Sequence, residues 1–222
     1  HCPLTLSCNS FGDDPMKLFY TPNSPYARIC RIVAETAGLT ADLELVRVPL
    51  RDPTNAVIPL SPLGRVPLLT DGDLVLSEAR HICAYLDEKA GTGPSVASYG
   101  DWGAVAAEAQ ALAFLDAITV WSRELRRDEA ERSPFLLDVE AEQAARMLAH
   151  YDGVLAPPGA APVLNFETIC LAVAMGMLQF YELAPNWRPD YPRLAAWTDA
   201  YDALPILRDT APSAAAMNLF TR

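Results

Sequence analysis

The chain has 222 residues, of which 51% are hydrophobic and 20% are charged. This composition is typical of a globular protein with one large or two smaller domains and argues against a disordered chain. The formal net charge is −11 at pH 7, without a Lys/Arg cluster, so we predict no nucleic-acid partner. The longest apolar run, residues 169–181, is too short to span a bilayer. We therefore predict a soluble protein that does not contact a membrane.

Residues 1–15, HCPLTLSCNSFGDDP, lack the basic start and the long apolar run of a secretory signal. We interpret them as a leader or an added extension, expect them to be disordered, and exclude them from the fold prediction. Cys2 and Cys8 could form a disulfide with each other, although their spacing gives this pairing only weak support.

The five cysteines form neither a C-x-x-C motif nor a His/Cys ligand spacing, which argues against a zinc site or a redox pair. Cys30, Cys83 and Cys170 fall on apolar faces of predicted helices, where a thiol packs as a small core side chain. This usage indicates a reducing compartment, and we predict a cytoplasmic protein without a bound metal.

Strand and helix patterns alternate from Met16 to Gly91 and predict a small α/β domain. A helix is predicted from about Pro25 to Ala37, ended by Gly38, and a second one begins near Glu78. The second helix has its apolar residues at i, i+3, i+4 and i+7, namely Ala79, Ile82, Cys83 and Leu86. The strand-like runs are 16–20, 43–48, 67–70 and 74–76, with the turn TDGD (70–73) between the last two.

A change of composition follows at GTGPSVASYG, residues 91–100, after which strand patterns stop. The remainder predicts helices over about 101–127, 135–155, 166–183, 190–203 and 205–210. We therefore predict an α/β domain over 16–91, a linker over 92–100 and an all-helical domain over 101–222.

Three short motifs can be explained by local structure alone, without a functional role. In YTPNSPYARIC (20–30), Ser24 fits a helix N-cap before a first-turn proline. In SPLGRVPLL (61–69), Pro67 opens a strand and the bond before it could be cis. In LNFETI (164–169), Asn165 and Thr168 have the spacing of a helix cap.

Taken in order, these segments resemble the cytosolic glutathione transferases of bacteria, and the resemblance extends from Met16 to Arg222. It is carried by FYTPNSPYARICRIV, SPLGRVPLL, LVLSEARHICAYLDE, LNFETICLAVAMGMLQF and the tail NWRPDYPRLAAWTDAYDALPILRDTAP. The resemblance implies a thioredoxin-like N-terminal domain that binds glutathione, followed by an all-α C-terminal domain. It also implies a symmetric homodimer.

The resemblance assigns glutathione contacts to two segments. It makes Pro67 a cis-proline, pairs the backbone of Val66 with the cysteinyl part of glutathione, and directs Arg65 to the glycyl carboxylate. It implies that Glu78 accepts a hydrogen bond from the γ-glutamyl ammonium of glutathione. Ala79 stands where the family usually has serine, and the missing hydroxyl is expected to weaken binding by roughly ten- to a hundred-fold.

The resemblance also gives Ser24 a catalytic role. The same turn of thioredoxin-like enzymes holds a nucleophilic cysteine, whereas a serine hydroxyl can donate a hydrogen bond to a bound thiolate at the positive end of a helix. The alternative, a purely capping serine, stays open.

The second substrate is expected against the helical domain. Tyr26, Phe114, Ala117 and Trp121 are the candidate residues. The last three have helical spacing, for which ordinary core packing is the favoured interpretation and substrate contact the alternative. Arg28, Arg31 and Glu35 are interpreted as a solvated charged stripe or an ion pair between elements. His81 and His150 are expected at the surface.

The leading hypothesis is an enzyme that adds the glutathione thiolate to a small hydrophobic electrophile. Two alternatives stay open: a glutathione-dependent isomerase or dehalogenase, and a non-catalytic module that binds glutathione or another ligand. Ala79 favours the non-catalytic module, because it removes a contact to glutathione.

Overall fold

The computed structural model of the protein describes residues 15–49, 52–91, 93, 95–155, 159 and 161–217. The predictions for residues 1–14, including the Cys2–Cys8 pairing, lie outside the described residues.

A four-stranded mixed sheet forms the N-terminal part of the fold. Its elements are β1 (Met16–Tyr20), α1 (Pro25–Thr36), β2 (Leu43–Arg47), β3 (Leu68–Asp71), β4 (Leu74–Ser77) and α2 (Ala79–Ala90). The strand order is β2-β1-β3-β4, with β1 parallel to β2 and antiparallel to β3, and β3 antiparallel to β4. This is the thioredoxin-like arrangement that the resemblance implies.

The β3–β4 pair is a hairpin, as the TDGD motif predicts. Gly72 takes a positive φ of 55° in the two-residue loop between the strands, a conformation that glycine adopts without steric cost. β3 begins one residue later than predicted, at Leu68, because Pro67 has no N–H to contribute to the ladder.

Helices form the C-terminal part. They are α3 (Trp102–Leu125), α4 (Pro134–Val154), α5 (Phe166–Phe180), α6 (Trp187–Asp190), α7 (Pro192–Asp202), α8 (Pro205–Asp209) and α9 (Ala214–Met217), with a 3₁₀ turn at Glu129–Glu131. The helix predicted over about 190–203 is α7, which begins at Pro192, because the residue before a proline avoids helical geometry. The short helix α6 before it was not predicted.

α5 lies at the centre of the molecule and packs against both α1 and α3. Ile169, Val173 and Met175 on this helix are completely buried. Its first turn has the predicted cap, since the Thr168 N–H donates to Asn165 Oδ1 at 2.9 Å and the Asn165 N–H donates to Thr168 Oγ1 at 3.0 Å. One continuous core therefore joins the sheet to the helices.

Cys30, Cys83 and Cys170 are buried thiols in this core, as predicted. Burial raises the pKa of the Cys83 and Cys170 thiols, which keeps both protonated at neutral pH.

One helix of the described residues, α3, is long and apolar enough to cross a membrane by length and composition, which the sequence prediction missed. Phe114, Leu115 and Ile118 on this helix are buried against neighbouring elements. Because the core helix of a globular protein passes the same test, we interpret α3 as a core helix.

Candidate functional site

Three segments of the N-terminal part meet at one edge of the sheet. In the strand register, Phe19 near the end of β1 pairs with Leu68 at the start of β3, and Leu68 pairs with Ser77 at the end of β4. The turn after β1, the loop before β3 and the start of α2 therefore lie side by side. α1 and α2 both begin at this edge, and helix N-termini favour a bound anion.

Ser24 occupies the N-cap of α1, with Pro25 at the first helical position. Its Oγ accepts a hydrogen bond from the Ala27 N–H at 3.3 Å, and its own N–H donates to the Thr21 carbonyl at 3.0 Å. Because the capping bond uses Oγ as an acceptor, the hydroxyl hydrogen can still be donated to a ligand. Ser24 is half-buried, so a ligand can reach it.

Pro67 follows a cis peptide bond from Val66, as the resemblance implies. Pro67 is buried, Val66 is half-buried and Arg65 is exposed. The position of this loop beside the Ser24 turn leaves the Val66 backbone and the Arg65 side chain accessible to a ligand at the same edge.

Glu78 precedes α2 with a positive φ of 70°, which is uncommon for a residue with a side chain. Such a conformation costs on the order of 1–3 kcal/mol and is typical of functional sites. Glu78 is exposed, while Ala79 behind it is buried. The Cys30 thiol, which is buried in the core, donates a hydrogen bond to the Ala79 carbonyl at 3.8 Å.

Tyr26 connects the sheet domain to the helices. Its hydroxyl donates to Asp116 Oδ1 on α3 at 2.5 Å. Burial and then the bond to the Asp116 carboxylate raise the pKa of Tyr26 above its usual value, so the phenol stays neutral and donates.

The other predicted second-substrate residues differ in exposure. Phe114 is 1% exposed and Trp121 is 8% exposed, and the Phe114 ring packs 6.1 Å from the Tyr151 ring. Core packing is thus the better interpretation for these two residues. Ala117 is half-buried beside Asp116, where a ligand could contact it.

The prediction for the charged stripe on α1 is wrong for Arg28. Its side chain is buried, and its guanidinium donates to Thr210 Oγ1 at 3.2 Å and to the Leu207 carbonyl at 2.7 Å. The sequence held one signal, since Arg28 lies in the apolar stripe of Pro25, Ile29 and Ile32.

Asn23 was missed altogether. It is buried next to Ser24, and its amide pairs with the backbone of Ser213 near the end of the chain. Arg31, in contrast, lies over the Tyr20 ring at 5.1 Å, and His81 and His150 are exposed as predicted. Within the described ranges, no group of three or more His, Cys, Asp and Glu residues could hold a metal ion.

Comparison with known proteins shows similarity to glutathione transferases. Residues 18–95 match the family model of the glutathione S-transferase N-terminal domain. The fold is similar to a glutathione transferase family member from Pseudomonas fluorescens Pf-5 crystallised with glutathione, with a TM-score of 0.78, 28% identity, and coverage of 89% of this chain and 99% of that one. A glutathione S-transferase from Methylobacillus flagellatus KT with glutathione bound has a TM-score of 0.78 and 29% identity, covering 89% and 100% of the two chains.

Among curated proteins, the uncharacterised GST-like protein YibF of Escherichia coli K12 is 29% identical over 81% of this chain and 90% of its own length. The N-terminal domain thus matches the glutathione S-transferase family, and the two-part fold is similar to that of solved glutathione transferases.

Proposed function

We propose that this protein is a glutathione transferase, which binds glutathione and transfers its thiolate to an electrophilic carbon of a small hydrophobic molecule. The observation that carries this proposal is the convergence of the Ser24 turn, the Val66–Pro67 loop and the Glu78–Ala79 helix start at one edge of the sheet. The similar Pseudomonas and Methylobacillus proteins were crystallised with glutathione, which supports the same ligand here.

Glutathione would lie across these three segments. The Val66 backbone pairs with the cysteinyl part, and Arg65 binds the glycyl carboxylate. Glu78 accepts the γ-glutamyl ammonium, and the N–H groups at the start of α2 bind the neighbouring carboxylate. The exposure of Arg65 and Glu78 supports these roles, because both charges are free to reach a ligand.

Ser24 would donate its hydroxyl hydrogen to the glutathione sulfur and stabilise the thiolate. Lowering the thiol pKa from about 8.5 to about 6.5 raises the thiolate fraction at pH 7 by roughly 25-fold. Nucleophilicity falls with pKa, so roughly 8-fold of this is lost, and the net gain is only about threefold. Positioning of the second substrate must therefore supply most of the rate.

The electrophile would lie between the first turn of α1 and α3. Tyr26 and Ala117 are the accessible members of the predicted set, whereas Phe114 and Trp121 would support the wall from behind. Tyr26, kept neutral by burial and by Asp116, would offer an uncharged phenol rather than an anion to an apolar substrate.

Ala79 supports a second candidate, a non-catalytic glutathione-binding module. Its methyl group cannot replace the hydrogen bond that a serine would donate or accept there, so glutathione would bind weakly.

As an enzyme, the protein would act in detoxification in the cytoplasm, as a homodimer and with glutathione as a substrate.

Two measurements in sequence test the proposal. Isothermal titration calorimetry with glutathione decides whether the tripeptide binds, and a saturable, stoichiometric exotherm is expected. Turnover with a panel of aryl halides, epoxides, α-halo acids and activated alkenes then separates the candidates. Conjugation supports the transferase, release of halide or an isomerised product supports the alternative enzymes, and binding without turnover supports the module.

A further inference from the structure

The turn that holds Ser24 is joined to the end of the chain by a reciprocal pair of hydrogen bonds. Asn23 Nδ2 donates to the Ser213 carbonyl at 2.9 Å, and the Ser213 N–H donates to Asn23 Oδ1 at 3.1 Å. One side-chain amide thus satisfies both backbone groups of a residue 190 positions away. Asn23 is only 8% exposed, so water competes little for these bonds.

A second contact lies one helical turn further on. Arg28 donates through Nε to Thr210 Oγ1 and through Nη2 to the Leu207 carbonyl at the end of α8. Arg28 is 5% exposed, and burial lowers its pKa to about 10, which leaves it cationic at neutral pH. The C-terminal segment, residues 205–217, therefore contacts the chain both just before Ser24, at Asn23, and just after it, at Arg28 on α1.

The packing between the Ser24 turn and the C-terminal segment is close. A cavity of about 10 Å³ lies among Ser24, Arg28, Val173, Met177 and Pro212. This volume accommodates about one water molecule, so the turn cannot shift far without moving the C-terminal segment.

We propose that the C-terminal segment positions the Ser24 hydroxyl for the glutathione sulfur, with Asn23 as the positioning residue. This inference rests on the proposed role of Ser24. Neither Asn23 nor the C-terminal segment belongs to the residues that we propose to bind glutathione. Loosening the contact should therefore misplace the hydroxyl, raise the pKa of the bound thiol and lower kcat, while affinity for the rest of the tripeptide is retained.

The first test compares Asn23→Ala with Ser213→Ala in the full-length protein. Asn23→Ala removes both bonds to the C-terminal segment. Ser213→Ala is a matched control, because the bonds to Asn23 come from the Ser213 backbone, while its side chain accepts from the Ala216 N–H. The readouts are the thiolate absorbance of bound glutathione against pH, its Kd by calorimetry, and kcat with an electrophile that the protein turns over.

Asn23→Ala is expected to raise the pKa of bound glutathione by about half a unit to one unit, with Kd changed by less than about threefold. Its kcat at a pH well below that pKa should fall by about two- to threefold, because the higher nucleophilicity of the more basic thiolate offsets part of the lost thiolate fraction. Ser213→Ala should match the unaltered protein. A fall in melting temperature without any shift of the thiol pKa would overturn the inference and leave Asn23 as a structural contact.

A second pair of variants keeps the test decisive if Asn23→Ala fails to fold. Thr210→Val removes the acceptor of the Arg28 Nε–H, and Thr210→Ser retains it in a smaller side chain. The thiol pKa should rise in Thr210→Val and return toward the unaltered value in Thr210→Ser. Equal pKa values in the two variants would contradict the proposed positioning.

Ser24→Ala distinguishes failure of this inference from failure of the proposed function. If the unaltered protein binds glutathione and Ser24→Ala raises the thiol pKa while the Asn23 and Thr210 variants do not, only the positioning role is overturned. If Ser24→Ala leaves the pKa unchanged, or glutathione does not bind, the proposed role of Ser24 is overturned and this inference with it.

Discussion

The Tyr26 hydroxyl donates to the Asp116 carboxylate at 2.5 Å and so ties the first turn of α1 to α3, next to the proposed substrate site. Tyr26 belongs to the N-terminal domain and Asp116 to the helical part of the fold. The bond therefore also fixes the distance between the proposed glutathione-binding edge and the helices. Its donor is a phenol whose pKa is raised by burial and by the carboxylate.

Tyr26→Phe should lower the free energy of unfolding by about 1–2 kcal/mol at pH 7, because a hydrogen bond to a charged group is lost at a partly buried site. The effect should depend on pH. The raised pKa means that the folded protein keeps a proton that the unfolded chain releases above about pH 10, so this contribution declines as pH rises beyond that value. Urea unfolding of both proteins at pH 7 and pH 10.5 measures it. An undiminished difference at the higher pH would show that the phenolic proton is not involved.

Arg28→Lys should destabilise the protein by about 1–3 kcal/mol, because one ammonium group cannot replace both guanidinium donors at a buried site. The space is also restricted, since a Cβ at Gly176 would lie 3.0 Å from Arg28 Nη1. Arg31→Lys on the same helix is the control, since Arg31 is only half-buried. Denaturant unfolding of the two variants compares them, and equal stabilities would mean that the Arg28 contacts contribute little.

The helices and strands that depend on local sequence signals could be predicted from the sequence. Ser24 before Pro25 predicted the start of α1, and Asn165 with Thr168 three positions on predicted the start of α5. An Asp-Gly pair predicted the β3–β4 turn. Alternating strand and helix patterns predicted the order of the elements up to α2. Each of these signals lies within a few residues of the structure that it produces.

The contacts of Asn23 and Arg28 could not be predicted in the same way. Their partners are 179 to 190 positions away. The apolar stripe of α1 indicates that Arg28 is buried, but no residue near it in the sequence identifies the groups that it contacts. Similarly, Phe114 and Trp121 were predicted to line a substrate pocket because of their helical spacing. That spacing indicates a buried helix face, but it does not distinguish residues that line a pocket from residues of the core.

Ala79→Ser should tighten glutathione binding by roughly ten- to a hundred-fold, because the restored hydroxyl adds a hydrogen bond to a charged group. Ala79 is buried at the first position of α2, so the helix start must keep its geometry when the hydroxyl is added. Calorimetry with glutathione measures the affinity, and Ala84→Ser, further along the same helix, is the control. Unchanged or weaker binding would show that residue 79 does not face the γ-glutamyl group.

A symmetric homodimer is expected from the family resemblance, with the N-terminal domain of one protomer against the helical domain of the other. Exposed apolar residues in both parts, among them Val75 on β4 and Trp102 at the start of α3, are available for such an interface. Light scattering across a range of concentrations measures the mass. A mass of one chain, about 24.1 kDa, at every concentration would refute the dimer.

The central claim, that the Ser24 side chain lies at the glutathione sulfur, is tested most directly by Ser24→Cys and mass spectrometry. A thiol at a helix N-terminus has a lowered pKa, and its thiolate should attack oxidised glutathione, form a mixed disulfide and release one glutathione thiolate. Peptide mapping then locates the adduct, with the unaltered protein as the control for the native cysteines. The account predicts glutathione on residue 24. A variant that still binds glutathione in calorimetry but never acquires the adduct at residue 24 would contradict it and return Ser24 to the role of a helix cap.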